Sequence, residues 1–162
     1  EGMVKSFLAY ENAVLGQQND PHLQSGPGHV FLTPLTLTER CMRFMQEFDI
    51  RPADPLLRGS LFSGGNQQKL VIARELANDP DILLIGQPTR GVDIGAIEFI
   101  HQRLLELRNQ GKAILLVSSE LEEIMALSDR IAVICAGRIT GETTRAAANE
   151  QKIGMWMAGE AA

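Results

Sequence analysis

Two short segments of the chain carry residues whose types and spacing could do chemistry. The first is "LFSGGNQQKL" at 61–70, where Ser63 and two glycines directly precede an amphipathic segment. Glycine lets a backbone approach a ligand closely, and a helix N-terminus offers free N–H groups and a positive dipole end to an anion. The segment therefore predicts a phosphate contact. The alternative is a glycine-rich turn in which Ser63 is only the N-cap of a helix.

The second segment is "ILLIGQPTRGVD" at 82–93, an apolar strand followed by a polar loop. Gly86 has no side chain with which to ligate a metal ion. Gln87 can hydrogen-bond a water molecule but cannot take its proton. Asp93 at the end of the loop is either a contact to a partner or the N-cap of the next helix.

Size and composition place the chain among ordinary globular proteins. Its 162 residues favour one domain, or one domain with a small appendage. The net charge is −5 and no block of like charge stands out, so nothing indicates binding to nucleic acid or anionic lipid. Cys41 and Cys135 lie among apolar residues, which predicts buried free thiols. His22 and His29 have no ligand spacing, so no metal site is expected.

Hydrophobic periodicity predicts an α/β fold. Continuous apolar strands that alternate with helices indicate a parallel sheet covered on both faces. Two capping boxes are expected to start helices, one formed by Thr36 and Glu39 and one by Ser119 and Glu122. The predicted helices cover 7–15, 37–48, 66–78, 95–109 and 120–127, and the predicted strands cover 81–86, 113–118, 130–136 and 138–142.

The chain changes character along its length, which predicts three parts. Residues 1–57 form a helical subdomain with a loop at 17–34, residues 58–142 form the α/β core, and residues 143–162 form a tail. The tail ends in small residues and is expected to be partly disordered. Trp156 in the tail either packs on the body of the protein or binds a partner.

Longer segments resemble ABC-type ATPases. The run at 61–93 is similar to that family's block from the signature helix to the Walker B strand, and "SSELEEIMALSDRIAVICAGRITGE" at 118–142 resembles its switch region and last strands. "RGVD" and "SSE" look like the second nucleotide-binding half of tandem ATPase subunits in bacterial sugar and nucleoside importers. "FLAYENAVLG" at 7–16 is similar to the start of the family's helical subdomain. The resemblance implies a RecA-like parallel-sheet core fragment preceded by an α-helical subdomain.

The resemblance also implies a role for the first segment. In this family ATP lies between the Walker A motif of one half and the signature of the other. The signature positions match Ser63, Gly64, Gly65, Asn66 and Gln67, with Asn66 in place of the more usual Gln. Asp93 matches the loop that crosses the dimer interface. Arg90 either pairs with phosphate or a partner carboxylate or is simply solvated.

Departures from the family pattern predict that the chain's own site is hydrolytically degenerate. Gly86 and Gln87 occupy the positions of the Walker B Asp, which holds the Mg²⁺ shell, and of the Glu that positions or deprotonates water. Ser119 occupies the position of the switch His, where the alternative is the capping box with Glu122. No GxxxxGK(S/T) motif is present, which fits truncation better than divergence.

The function that the resemblance implies is that of an ATP-binding subunit fragment of a sugar or nucleoside importer. ATP and Mg²⁺ are expected only in the intact assembly, and the chain alone is expected to be inactive. The expected partners are the other nucleotide-binding half, a membrane permease on whose cytoplasmic side the chain sits, and indirectly a substrate-binding protein. The alternatives are a non-catalytic scaffold on the same fold and a DNA-repair-type ATPase head. The latter needs coiled coils and usually a basic surface, which the sequence lacks.

Overall fold

The structure, a computed structural model, describes residues 2–17, 19–25 and 31–160. These residues form two compact units, one of residues 1–80 with 89–102 and one of residues 81–88 with 103–162. The α/β class is confirmed. In chain order the helices and strands are α1 Ala9–Asn12, β1 Gln24–Ser25, β2 Phe31–Leu32, α2 Pro34–Glu47, α3 Gly64–Leu76, β3 Ile82–Gly86, α4 Ile94–Asn109, β4 Ala113–Val117, α5 Leu121–Leu127, β5 Arg130–Cys135, β6 Arg138–Thr144 and α6 Glu150–Met157.

The core of the first unit is built by α1, α2 and α3. Helix α2 turns one apolar face inward, since Cys41, Phe44 and Met45 are buried among residues of the other two helices. Burial raises the pKa of the Cys41 thiol from 9.0 to about 12, and the nearby charge of Asp54 adds to the effect. The thiol therefore stays protonated and behaves as a small apolar side chain.

Helix α2 begins earlier than predicted. Its first residue is Pro34 and its N-cap residue is Thr33, so Thr36 lies inside the first turn. The predicted capping box of Thr36 and Glu39 is therefore wrong. Proline suits the first helical position, because its fixed φ is helical and its missing N–H would have no partner there.

The first predicted helix is shorter than its apolar pattern suggests. Helix α1 is a single turn. It starts late because the residues before it pair with residues 55–60 through backbone hydrogen bonds such as Gly59 N to Phe7 O at 2.8 Å, and beyond it Val14 and Leu15 make turn bonds to the residue three positions earlier. Strands β1 and β2 pair antiparallel within the predicted loop. Residues 26–30 of that loop, including His29, and the side chain of His22 lie outside what the structure describes.

The second unit contains a parallel strand pair and an antiparallel pair. Strands β3 and β4 are parallel, with register from Ile82–Ala113 to Gly86–Val117, and β5 and β6 form a hairpin. One face of the β3–β4 pair is open to solvent, so the prediction of cover on both faces is wrong for this pair. The apolar side chains on that face are 58–77% exposed; they are Ile82, Leu84, Leu115 and Val117.

The tail is more ordered than predicted through residue 160. Helix α6 starts at the N-cap Asn149, whose side chain accepts a hydrogen bond from Lys152 N. Trp156 is 2% exposed and packs with Ile131, Val133 and Ile153, which confirms that it packs on the body. Residues 161–162 lie outside the described part. Within the described ranges, no helix combines the length and apolar character needed to cross a membrane.

Candidate functional site

The start of α3 presents the hydroxyl of Ser63 at the surface. Ser63 is the N-cap residue, and its Oγ accepts hydrogen bonds from Asn66 N at 3.3 Å and from Asn66 Nδ2 at 2.9 Å. Gln67 turns its side chain back and donates from Nε2 to Phe62 O at 2.8 Å. The N-cap interpretation of Ser63 is therefore what the structure shows. The capping bond does not bury the Ser63 hydroxyl, because Ser63 stays exposed to solvent.

The two signature glycines are required by close packing inside the first unit. A Cβ at Gly64 would lie 2.7 Å from Gly91 O, and a Cβ at Gly65 would lie 2.7 Å from Ala96 Cβ and 2.8 Å from Asp93 Oδ2. Side chains at these two positions would therefore collide with the 91–96 segment. This cause lies in tertiary packing, and sequence reasoning had attributed the glycines to a ligand.

Asp93 caps the helix that follows it. Its Oδ1 accepts a hydrogen bond from Ala96 N at 2.9 Å, and its backbone carbonyl accepts one from Ile97 N at 3.0 Å. The capping interpretation is thus confirmed. The contact of Asp93 with a partner half stays a prediction. The Asp93 carboxylate also lies next to Gly65, so Asp93 contacts the start of α3 as well as the start of α4.

A cavity of about 330 Å³ opens beside the first turn of α3. Two of its lining residues, Lys5 and Arg90, are cationic and exposed. Together with the N-terminus of α3 they make this part of the first unit suited to an anion. The lining residues are Gly2, Met3, Lys5, Gly64, Gln67, Gln68, Val71, Arg90, Gly91 and Val92.

Sequence reasoning missed Lys5 and Gln68 as members of this cavity. Lys5 reaches it because Ser60 N donates to Lys5 O at 2.9 Å, which fixes the segment before α1 against the segment before α3. Such pairing between distant segments leaves no local sequence pattern. Gln68, by contrast, lies in the predicted helix and could have been found from its helical spacing to Gly64.

Residues 82–88 of the second segment lie in the other compact unit, where Gly86 ends β3 and Gln87 follows it. Gln87 adopts a left-handed backbone conformation with φ 52°, and its N–H donates to Val117 O at 2.8 Å. Ser119 Oγ donates to Gln87 Oε1 at 3.3 Å. The two residues predicted at the catalytic and switch positions are therefore brought together, and both side chains are neutral.

Ser119 does not cap α5. The N-cap residue is Glu120, and its N–H is bonded to Ser118 Oγ at 3.0 Å. The predicted capping box of Ser119 and Glu122 is therefore wrong, because the adjacent Ser118 supplies the local bond and leaves Ser119 to Gln87. Over the described residues, no group of three or more His, Cys, Asp or Glu side chains is placed to hold a metal ion.

Solved structures define the class of fold. A dimeric ATP-binding cassette in a post-hydrolysis state bound to ADP and Pi superposes with a TM-score of 0.69 at 24% identity, covering 88% of this chain and 59% of that one. A nucleotide-free cassette from an ABC transporter gives a TM-score of 0.66 at 20% identity, covering 95% of this chain and 60% of that one. The fold is that of an ABC-type ATP-binding cassette.

The sequence relatives are ATP-binding proteins of importers. The chain is 42% identical over 159 residues to the nucleoside import ATP-binding protein NupA of Lactococcus lactis subsp. cremoris, covering 98% of this chain and 31% of that protein. It is 50% identical over 159 residues to the guanosine import ATP-binding protein NupO of Bacillus subtilis, covering 98% and 30% respectively. No protein-family profile matches the chain.

Over nearly its whole length the chain is therefore similar to the ATP-binding proteins of ABC-type nucleoside and sugar importers, as its motifs indicated. It spans about a third of the length of these two relatives. A glucose import ATP-binding protein, TsgD13 of Haloferax volcanii, is 44% identical over 117 residues, covering 71% of this chain and 21% of that protein.

Proposed function

We propose that this chain is the part of an importer's ATP-binding subunit that supplies the signature motif to a composite ATP site. The observation that carries the proposal is the exposed Ser63 hydroxyl at the N-terminus of α3, beside a cavity lined by Lys5 and Arg90. Hydroxyl, helix N-terminus and cations all favour a phosphate group. The Walker A motif that grips the same ATP comes from the other nucleotide-binding half.

The residues of the first segment act in different ways. Ser63 donates its hydroxyl hydrogen to a phosphate oxygen, and the backbone N–H groups at Gly64 and Gly65 face the same anion. Gln67 stabilises the turn before α3 through Phe62 O and lines the cavity. Asp93 fixes the start of α4 and lies where the partner half approaches. ATP with Mg²⁺ is the bound species in the assembled protein.

The site formed by the second segment does not hydrolyse ATP. Gly86 provides no ligand for the Mg²⁺ shell, and Gln87 orients water through hydrogen bonds without accepting its proton. Ser119 is bonded to Gln87 and so acts on the γ-phosphate only through that residue. The isolated chain has no ATPase activity of its own and supports hydrolysis only at the composite site.

The partners of the chain are those of an ABC-type importer's ATP-binding subunit. The helical part formed by α1 and α2 docks on a membrane permease, on the cytoplasmic face of the membrane, and transmits ATP-driven closure to it. A substrate-binding protein delivers a nucleoside or sugar to that permease. This range is supported by the relatives described above, which are import ATP-binding proteins for nucleosides, guanosine and glucose.

A second candidate function is a non-catalytic scaffold that keeps the fold without nucleotide. One observation favours it: the collisions that side chains at Gly64 and Gly65 would make account for both glycines without any ligand. The two candidates differ in the need for Ser63, because a scaffold does not use an exposed hydroxyl.

The test is a chimera with the guanosine importer of Bacillus subtilis. The aligned segment of its ATP-binding protein is replaced by this chain, and guanosine uptake and ATP hydrolysis are measured in membranes that contain the permease. Ser63→Arg should lower both by about 10²-fold or more, as loss of a transition-state donor does. Ser60→Arg, an exposed serine in the adjacent turn Gly59–Leu61, is the matched control and should leave both unchanged. Full uptake with Ser63→Arg would favour the scaffold.

A further inference from the structure

We propose that Asn66 is a positioning residue that holds the Ser63 hydroxyl as a hydrogen-bond donor toward phosphate. The inference rests on the proposed function. It adds the residue that makes the Ser63 hydroxyl a donor and so determines which ligand atoms it can bind. It starts from three hydrogen bonds made by one side chain and its own backbone, all inside the first unit.

The orientation of the Asn66 amide is fixed by Arg51. The backbone N–H of Arg51 lies 2.8 Å from Asn66 Oδ1, and a backbone N–H can only donate. The oxygen of the amide must therefore face Arg51. Its nitrogen must then face Ser63 Oγ, which lies 2.9 Å away.

This orientation determines what Ser63 can do. Its Oγ accepts from Asn66 Nδ2 at 2.9 Å and from Asn66 N at 3.3 Å. A serine hydroxyl has two acceptor lone pairs and one hydrogen to donate. With both lone pairs occupied, the hydrogen points away from Asn66. Ser63 thus acts only as a donor, which suits an accepting oxygen such as that of an ionised phosphate and disfavours a ligand group that can only donate.

The loop that follows α2 sets this geometry. Besides the bond from Arg51 to Asn66, the loop is tied to α3 by Lys69 Nζ, which donates to Asp49 O at 3.1 Å. Asn66 and Lys69 are three residues apart and so lie on one face of the helix. The loop therefore contacts α3 at two points on that face, and a shift of the loop would turn the Asn66 amide and release Ser63.

The experiment uses the isotope-labelled chain and inorganic phosphate. Amide chemical shifts of Gly64 and Gly65 report phosphate binding, and hydrogen exchange of the Arg51 amide reports the bond to Asn66. Asn66→Ala should weaken phosphate binding about five- to tenfold, the value of one hydrogen bond, and should speed Arg51 exchange. Asn66→Asp keeps an acceptor for Arg51, so its exchange should stay slow. Binding should still fall, because the new carboxylate draws the Ser63 hydrogen inward.

Variants in a Ser63→Ala background separate a positioning role from a direct contact. If Asn66 acts through Ser63, Asn66→Ala should add nothing to the loss caused by Ser63→Ala. Asn66→Asp in the same background measures the repulsion between phosphate and the new charge alone. A full additional loss from Asn66→Ala would mean that Asn66 touches the ligand itself and would overturn the inference.

The outcomes also separate this inference from the proposed function. Phosphate binding that Asn66→Ala and Asn66→Asp leave unchanged contradicts the inference alone. Wild-type Gly64 and Gly65 amides whose chemical shifts do not change with phosphate contradict the donor role of Ser63, whereas the proposed function is judged by uptake in the Ser63→Arg chimera. Arg51 exchange that is unaffected by Asn66→Ala contradicts the bond on which the orientation of the amide depends.

Discussion

At the scale of single residues, Gly86 and Gln87 carry the proposal that this chain's own site does not hydrolyse ATP. The space around Gly86 is open, since a Cβ there would meet nothing within 4 Å. Packing therefore does not require the glycine. The Gln87 side chain already accepts a hydrogen bond from Ser119, and a glutamate could accept the same bond.

We predict that both positions must change before hydrolysis returns. In the chimera, Gln87→Glu alone should leave ATP turnover at this site absent, because no carboxylate holds the Mg²⁺ shell. Adding Gly86→Asp should raise turnover by about 10²–10⁴-fold, the usual contribution of a positioned general base. ATP hydrolysis with and without Mg²⁺ is measured in the chimera that also carries Ser63→Arg, so that the composite site does not contribute. Recovery with Gln87→Glu alone would show that the carboxylate at 86 is dispensable.

Sequence patterns predicted residues with local roles better than residues with distant partners. Ser63 and Asp93 each had a cap as one interpretation, and both form it, because a cap depends on residues within three positions. Ser119 was assigned a cap by the same rule. It instead bonds to Gln87, 32 residues earlier in the chain, and no local pattern contains that pairing.

At the scale of elements, the start of α3 is where packing constrains the sequence most. Gly65 faces the 91–96 segment so closely that any side chain must displace Ala96 or the Asp93 carboxylate. Gly95, inside α4, has only an ordinary contact at 3.6 Å to Asp93 Oδ1. Packing thus requires a glycine at position 65 but not at position 95, although both residues lie in helices.

We predict opposite effects on stability when each of these glycines becomes alanine. Gly65→Ala should lower the free energy of unfolding by about 1–3 kcal/mol through overpacking. Gly95→Ala should raise it by about 0.5–1 kcal/mol, because alanine restricts the unfolded chain and favours the helix. Denaturant unfolding followed by circular dichroism measures both. A neutral Gly65→Ala would show that the close approach relaxes and that the glycine serves a ligand instead.

The helices and strands from α3 to β6 were predicted to within about two residues, because their apolar periods are regular, whereas α6 was not predicted. The errors lie where tertiary pairing overrides a local pattern. In the apolar run at 7–15 the helix starts only at Ala9, because the first residues of the run pair with 55–60. The two-stranded pairing of β1 with β2 had no apolar pattern to reveal it.

At the scale of the whole molecule, the open face of the β3–β4 pair is the main departure from a self-contained fold. Four large apolar side chains on that face are exposed, and Leu84 and Leu115 are direct neighbours in the strand register. Parallel strands are ordinarily covered on both faces. The sequence showed that these strands are apolar throughout but could not show which face the chain itself would cover.

We predict that the purified chain binds a hydrophobic dye at this face and self-associates as its concentration rises, since contiguous exposed apolar surface drives both. Replacing Leu84 and Leu115 together by threonine should reduce dye fluorescence and association while changing the free energy of unfolding by less than about 1 kcal/mol, as exposed substitutions do. Leu83→Thr is the matched control: Leu83 is the preceding residue on the opposite face and is 7% exposed. That variant should instead lose about 2–5 kcal/mol of stability, as buried leucine truncations do. If the wild-type chain sediments as a monomer and does not raise the fluorescence of the dye, the face is covered in solution. That result would contradict the prediction.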